Sequence, residues 1–222
     1  MTALEAKPVD PEELSHEHGV FLVRIARRSV EHSFKGEKIK PSPVPGILER
    51  PGAAFVTIEE YHGRDKRVLR GCIGFIRPVK PLYKVVLEVA KEAAFNDPRF
   101  PPLRREELDR VTFEVSVLSE MEPAPRDFRM RRRFIKIGRD GLMVSYGLYS
   151  GLLLPQVPVE YGWTEEEFLS ETCIKAGLEW DCWMNPDVDV YRFRSRVWRE
   201  VEPNGDVEER DLNREWMERM RG

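Results

Sequence analysis

The residue of this sequence with the clearest chemical potential is a cysteine that stands between two glycines. The strand-like run Leu69–Ile76 reads Leu-Arg-Gly-Cys-Ile-Gly-Phe-Ile. Alternate side chains of a strand share a face, so Arg70 and Cys72 are predicted to be neighbours. A cationic neighbour lowers the pKa of a thiol and favours the nucleophilic thiolate. Gly71 and Gly74 allow a ligand or another backbone to come close. The pattern predicts Cys72 as a nucleophile or contact residue, with Arg70 holding the thiolate or an anion.

The same cysteine also has a purely structural interpretation. Free cysteine is among the residue types most often buried, where it behaves as a small hydrophobe. The sequence has four histidines, and His62 is the one nearest to Cys72 along the chain. A histidine in a turn is usually only solvated, so the sequence assigns no base to the thiol. The reactive and the structural interpretations both stay open.

Two further segments carry candidate binding residues. In the stretch Asn96–Pro102, Asp97 directly precedes a proline and Arg99 directly follows it; proline restricts its own backbone and that of the residue before it, which keeps a carboxylate and a guanidinium in place. The alternative is that Asp97 caps a helix or pairs with Arg99 to close the loop. Glu114 and Gln156 are additional polar candidates whose spacing fixes no role. No metal site and no cofactor is predicted, because neither zinc-ligand spacing nor a nucleotide-binding motif occurs.

A basic segment between residues 126 and 139 points to a different class of function. Its positive residues surround two phenylalanines, and such interleaving can follow a phosphate backbone and stack on bases. The alternative is a solvated face that the acidic stretch Glu165–Glu167 balances. The net charge of -3 and the lack of an RNA-binding signature make nucleic acid the third choice. The basic residues are Arg126, Arg129, Arg131, Arg132, Arg133, Lys136 and Arg139.

Composition limits the class of protein. A length of 222 residues suits one large domain or two modest lobes. The polar N-terminus and the lack of a long apolar run predict neither a signal peptide nor a membrane span. The three cysteines are an odd number at wide spacing, which argues against a disulfide framework and predicts a cytoplasmic location. A charged fraction of 34%, against the usual quarter, is compatible with the ion-pair networks of a thermophile.

The elements that position these residues begin with a helix. Asp10, followed by Pro11 and Glu13, predicts the capped start of an amphipathic helix that ends near Gly36. Residues 53–61 and the cysteine run predict a hairpin through the turn at residues 62–65. Pro81 is predicted to open a second helix with a broad apolar stripe, which covers the sheet. Residues 111–118 alternate in polarity and predict a further strand of the same sheet.

The second half of the chain is predicted to contain another hairpin, a helix and a strand. Residues 134–137 and 142–146 flank Gly138-Arg139-Asp140-Gly141, in which Asp-Gly favours a tight turn. Residues 147–158 are rich in glycine and proline and predict loops. Thr164 begins a capping box for a helix that Gly177 ends. Residues 188–198 predict a strand, and residues 208–222 a charged C-terminal tail that forms an exposed helix.

Four motifs, taken in order along the chain, resemble the AMMECR family, which is named for the chromosomal region linked to Alport syndrome with midface hypoplasia and elliptocytosis. The resemblance runs from about Phe21 to about Phe193, so the chain, residues 1–222, is identified as a single AMMECR-type unit. The motifs are Leu69-Arg70-Gly71-Cys72-Ile73-Gly74, Asp97-Pro98-Arg99-Phe100-Pro101-Pro102, Leu153-Leu154-Pro155-Gln156-Val157, and Phe168-Leu169 with Lys175-Ala176-Gly177-Leu178.

The resemblance implies an α+β fold with a larger and a smaller lobe, each a mainly antiparallel β-sheet with flanking helices. It implies that the cysteine motif faces the cleft between the lobes. Together with the residue-level reasoning, this predicts a cleft that binds or acts on a small molecule or a modified group. The residues expected to line it are Arg70, Gly71, Cys72, Gly74, Asp97, Arg99 and Gln156.

The resemblance implies no particular reaction, so whether the chain is an enzyme stays open, as does its oligomeric state. Family members occur beside, or fused to, Memo-like and radical-SAM proteins, and this association implies a modification pathway. A non-enzymatic scaffold or adaptor, in which the motifs maintain the fold, is therefore the second expectation. Binding of RNA or DNA through the basic segment is the third.

Overall fold

The computed structural model of the protein describes residues 6–64 and 66–221. Residues 1–5 of the N-terminus, Asp65 of the predicted turn and Gly222 of the predicted tail lie outside the described residues. The α-helices are α1 (His16–Ser33), α2 (Leu82–Phe95), α3 (Phe128–Phe134), α4 (Gln156–Tyr161), α5 (Glu165–Lys175) and α6 (Leu212–Arg219). The strands are β1 (Pro51–Tyr61), β2 (Arg67–Pro81), β3 (Val111–Leu118), β4 (Glu122–Pro123), β5 (Asp140–Tyr146), β6 (Tyr149–Leu153), β7 (Asp189–Glu200) and β8 (Val207–Glu209).

The chain divides into two compact units, and β7 supplies residues to both. The first unit comprises the chain up to Leu118 together with Arg196–Arg210, and the second comprises Ser119–Ser195 and the chain from Asp211 onward. All strand pairs whose register is resolved are antiparallel, and helices accompany the strands in both units. The predicted α+β class is confirmed, whereas the cleft between two lobes stays a prediction.

The first unit is built around a sheet in which β2 is the edge strand, β1 follows it and β3 comes next. One face is apolar, because the buried side chains of Val56, Ile58, Phe113 and Val115 join those of α1 and α2 in a single core. Several alternate positions of the same strands are polar, among them Thr57 and Glu114, whereas Phe55 is apolar. Strand alternation therefore gives this sheet one apolar, helix-covered face and one face of mixed polarity.

The start of the first helix differs from the sequence-based expectation. Asp10 does form a capping box, but it serves a separate 3-10 turn, Pro11–Glu13. α1 begins afresh at His16, because the hydroxyl of Ser15 accepts the N–H of His18 at 3.4 Å and the N–H of Ser15 donates to Nδ1 of His18 at 3.0 Å. A second cap so close to the first interrupts what the sequence predicts as one helix.

A buried ion pair holds the end of β7 within the first unit. The guanidinium of Arg27 donates to the Glu200 carboxylate through Nε at 2.7 Å and through Nη2 at 2.6 Å. Glu200 also accepts the main-chain N–H of Phe113 on β3 at 3.0 Å. Because both ionic side chains are buried and paired, removing either one leaves an uncompensated charge in the core.

The predicted hairpin around Gly138 is wrong. Residues 128–134 form α3, because the Asp127 carboxylate caps it by accepting the N–H of Arg129 at 3.0 Å. Asp140 is fully buried and begins β5, where it accepts the N–H of Lys136 at 2.9 Å. The hairpin that does form joins β5 to β6 and turns at Gly147, whose φ of +60° suits glycine.

Later elements agree with the sequence in part. The Thr164 capping box opens α5 as predicted, and the helix runs to Lys175, with Gly177 at a φ of +77°. The predicted loop at residues 147–158 instead holds β6 and the start of α4. Part of the predicted tail is a strand, since β8 pairs with β7, and only α6 is helical. No helix among the described residues is both long and apolar enough to cross a membrane.

The expectation that the cysteines form no disulfide is also wrong. Cys173 on α5 is joined to Cys182, nine residues later, and Cys72 is the free cysteine. The chain leaves α5 at Gly177 and turns back through a 3-10 turn, Cys182–Met184, which brings the two sulfurs together. Cysteine usage therefore gives no support to the predicted cytoplasmic location, which stays a prediction.

Candidate functional site around Cys72

Cys72 lies in a row of polar residues that crosses three neighbouring strands. Thr57 on β1 is the register partner of Cys72 on β2 and of Glu114 on β3. The Thr57 hydroxyl donates to the sulfur of Cys72 at 3.3 Å. Glu114 accepts from Nη1 of Arg210 at 3.0 Å, and both of these side chains are buried. We call Cys72, Thr57, Glu114 and Arg210 the polar row.

The surroundings of the thiol disfavour its ionised form. Burial raises the pKa of Cys72 to about 11, while the Thr57 hydrogen bond and the charge of Arg99 act in the opposite direction. The carboxylates of Glu114 and Asp97 raise the pKa further. The net pKa is therefore raised, because desolvation outweighs the positive charge of Arg99; Arg70, the cation that the sequence suggested, is not among the groups that shift it.

The side chain of Arg70 hydrogen-bonds to Glu107 and Pro101. In the β1–β2 register Ile58 pairs with Gly71 and Glu59 pairs with Leu69, so Arg70 is an extra residue at a bulge. Its Nε donates to Glu107 at 2.9 Å, and its Nη1 donates to the carbonyl of Pro101, also at 2.9 Å. The bulge breaks the simple alternation on which the predicted Arg70–Cys72 pair depends. Arg70 binds the segment that follows α2.

Asp97 and Arg99 hold the main chain of Cys72. The Asp97 carboxylate accepts the N–H of Cys72 at 2.8 Å, and Nη2 of Arg99 donates to the Cys72 carbonyl at 3.1 Å. The same Nη2 donates to Asp97 at 2.7 Å. β2 is an edge strand, so these outward-facing groups would otherwise lack a neighbouring strand. We call this pair of side chains the Asp97–Arg99 clamp.

The charge of Asp97 is strongly stabilised. Its side chain is only 2% exposed, and hydrogen bonds from Arg99 lower its pKa to about 2 against the opposing effect of burial. The N–H groups of Cys72 and Arg99 lower this pKa further. The carboxylate is therefore ionised at every physiological pH, and its two oxygens bond to the Cys72 main chain and to Arg99.

The two glycines beside Cys72 admit other parts of the chain. A Cβ atom on Gly71 would lie 2.1 Å from the carbonyl oxygen of Ala93 in α2. A Cβ atom on Gly74 would lie 2.3 Å from the ring of Phe55 in β1. The close approach that the glycines allow is thus made by helix backbone at Gly71 and by an aromatic ring at Gly74.

The structure brings together only part of the predicted site. Cys72, Asp97 and Arg99 are in direct contact within the first unit, and Arg70 packs nearby on the same strand. Gln156 belongs to the second unit, where it begins α4 and is 5% exposed. Sequence reasoning missed Thr57 and Arg210. The predicted hairpin could have placed Thr57 opposite Cys72, but the sequence does not give the register of the hairpin.

Most basic side chains of residues 126–139 make hydrogen bonds or ion pairs with other residues of the second unit. Arg131 is 1% exposed and donates to the carbonyls of Trp183 at 2.6 Å and Val188 at 2.8 Å. Arg129, Arg132 and Arg139 make ion pairs with Asp127, Glu166 and Asp140, respectively. Within the second unit, these ion pairs offset part of the positive charge that would attract a phosphate backbone.

Comparison with known proteins identifies relatives over nearly the whole chain. A protein-family model described as AMMECR1 matches residues 23–198. A protein of Aeropyrum pernix is 52% identical over 208 residues, which cover 94% of this chain and 90% of that protein. Protein MJ0810 of Methanocaldococcus jannaschii is 44% identical over 203 residues, covering 90% of this chain and 98% of the relative.

A solved structure has the same fold. The crystal structure of the uncharacterized protein PH0010 from Pyrococcus horikoshii matches with a TM-score of 0.86 at 47% sequence identity. The match covers 89% of this chain and 98% of that one. Similarity in both sequence and fold, over this length, confirms the resemblance inferred from the four motifs.

Proposed function

The chain belongs to the AMMECR1 family, and we propose that it is a non-enzymatic adaptor in which the Cys72 motif maintains the fold. The carrying observation is the Asp97–Arg99 clamp, in which both side chains bind the main chain of Cys72 at the edge of the sheet. Side chains that serve the protein's own backbone in this way contribute to stability, because they satisfy polar groups of an edge strand.

The state of the thiol supports the same proposal. The thiolate is the nucleophilic form of cysteine, and a pKa of about 11 in place of 9.0 lowers its population at neutral pH about 100-fold. Gly71 and Gly74 have packing neighbours, and Arg70 is paired with Glu107. Each of these motif residues thus has a structural partner. The partners we propose for the adaptor are the Memo-like and radical-SAM proteins that the family association implies.

Alkylation of Cys72 tests the proposal. It is the free cysteine, so a thiol reagent reports on this site alone. We expect labelling at pH 8 to be about 100-fold slower than for a free cysteine peptide, and to reach the peptide's rate in denaturant. In parallel, Cys72→Ala is expected to lower the free energy of unfolding by about 1 kcal/mol while partner binding persists. Labelling of the folded protein at the peptide's rate would contradict the proposal.

One observation favours a second candidate, the binding of an anionic small molecule. Nη1 of Arg99 makes no hydrogen bond to any described residue, and the Arg99 side chain is 45% exposed. The clamp therefore still presents two N–H donors to solvent beside the thiol, and such donors bind carboxylate or phosphate. In this role Cys72 is a contact residue and needs no thiolate.

Inorganic phosphate distinguishes the second candidate from the first. Arg129 is a matched control, because it contacts Asp127 through the same three groups, N, Nε and Nη2, that Arg99 uses on Asp97. If the site binds anions, phosphate raises the melting temperature of the wild type and of Arg129→Gln but not of Arg99→Gln. An equal rise in all three proteins excludes anion binding at Arg99 and leaves the adaptor proposal unaffected.

A further inference from the structure

The second unit contains an open cavity of about 480 Å³ that the Cys72 site does not involve. Its walls combine two tryptophans, Trp163 and Trp180, with the glutamates of α5. Trp163 directly precedes the Thr164 cap of α5, and Trp180 follows the turn at Gly177 that ends the same helix. The two ends of one helix therefore carry the two aromatic walls.

The tryptophans are placed for contact with a ligand. Trp180 is 55% exposed, so its indole surface is accessible to a ligand in the cavity that it lines. Trp163 stacks on Tyr161 with ring centroids 4.9 Å apart and an interplanar angle of 20°. This stacking fixes the plane of the Trp163 ring before any ligand arrives. The faces of such rings carry negative potential and attract cations.

Two of the acidic residues of the cavity already have a hydrogen-bond or ion-pair partner, and one has none among the described residues. Glu166 pairs with Arg132 at 3.1 Å. Glu167 completes the capping box by accepting the N–H of Thr164 at 2.8 Å. Glu171, one turn further along α5, makes no ion pair or side-chain hydrogen bond with any residue in ranges 6–64 and 66–221. A carboxylate without a partner, beside two indole rings, favours a positively charged occupant over a neutral or negative one.

We propose that this cavity binds an alkylammonium group, with Trp163 and Trp180 contacting the methyl or methylene surface and Glu171 compensating the charge. Trp is the aromatic residue that binds such groups best. The group comes either from a small amine or from a lysine side chain of another protein. The proposal is independent of the adaptor role and of the Cys72 site.

Calorimetric titration of the full chain with choline tests the proposal, and 3,3-dimethyl-1-butanol serves as the neutral isostere. We expect choline to bind and the isostere to fail. Trp180→Ala is expected to weaken choline binding about tenfold, and Glu171→Gln several-fold with a loss of salt dependence. Two matched controls lie outside the cavity. Tyr146→Ala removes an exposed aromatic side chain, and Glu106→Gln removes an exposed carboxylate of the first unit. Both controls are expected to bind choline like the wild type.

A second titration uses a peptide with one trimethyllysine, and it separates the two sources of the group. Binding of both probes, each weakened by Trp180→Ala, indicates a site for the small amine. Binding of the peptide alone, with the same sensitivity, indicates a lysine side chain of a partner. The proposal is overturned if neither probe binds, if the neutral isostere binds as well as choline, or if Trp180→Ala leaves the affinity unchanged.

Discussion

The Asp97 carboxylate accepts the main-chain N–H of Cys72 at 2.8 Å, although the two residues are 25 positions apart in the sequence. One residue belongs to the edge strand β2, and the other follows the helix that packs on that strand. The contact joins two of the four family motifs in a single local structure. It also explains why a carboxylate sits in a proline-rich loop, because the prolines restrict the backbone on both sides of Arg99.

Asp97→Asn is expected to lower the free energy of unfolding at pH 7 by about 2 kcal/mol, since the pKa of Asp97 falls from 3.8 to about 2 on folding. A lowered pKa stabilises the fold above the unfolded-state value. This stabilisation is lost as the pH falls from about 4 toward 2. Urea denaturation at a series of pH values should show the loss in the wild type and a flatter profile in the variant.

Asp127→Asn is the control for that experiment. Asp127 makes the same contacts to Arg129 that Asp97 makes to Arg99, but it is exposed and holds no strand. Asparagine also keeps the cap of α3, so the change in stability should be much smaller. Equal losses in the two variants would show that the Asp-x-Arg pair, and not the contact to Cys72, provides the stability.

Gly71→Ala is expected to destabilise the protein by about 1–3 kcal/mol, because the added methyl group meets the Ala93 carbonyl at 2.1 Å. Gly46→Ala is the matched control, since no atom lies within 4 Å of its Cβ position. That substitution should be neutral or stabilise the fold by about 0.5 kcal/mol. Chemical denaturation of both variants measures the difference. A wild-type stability for Gly71→Ala would contradict the packing of α2 on β2.

The disulfide makes a prediction that thiol counting can check. The denatured, unreduced chain should titrate one thiol, and three after reduction, because Cys173 and Cys182 are joined and Cys72 is free. Replacing both paired cysteines by alanine is expected to cost about 2–3 kcal/mol, the value for closing a loop of this length. Reductant should lower the stability of the wild type and leave that of the double variant unchanged. Three thiols before reduction would contradict the pairing.

Much of the fold was predictable because its signals are local. The capping residue Thr164, the apolar stripe of α2 and the alternation of β3 are each encoded within a few positions. Family membership was equally accessible, since four short motifs occur in order. The hairpin prediction around Gly138 failed because a local signal competed with a tertiary one. The Asp-Gly pair favours a turn, whereas burial of the Asp140 carboxylate, which no local pattern announces, places this residue at the start of a strand.

The sequence by itself determined the α+β class, the family and the candidate residues at Cys72, Asp97 and Arg99. Only the tertiary structure decided which hydrogen bonds these residues make with one another. The bulge at Arg70, the register that sets Thr57 opposite Cys72 and the disulfide at Cys173 all depend on contacts between distant segments. The raised pKa of the thiol depends on burial, which is a property of the packed sheet and its neighbours. Desolvation by the surrounding fold therefore outweighs the nearby positive charge of Arg99, while Arg70, the cation that the sequence suggested, pairs with Glu107.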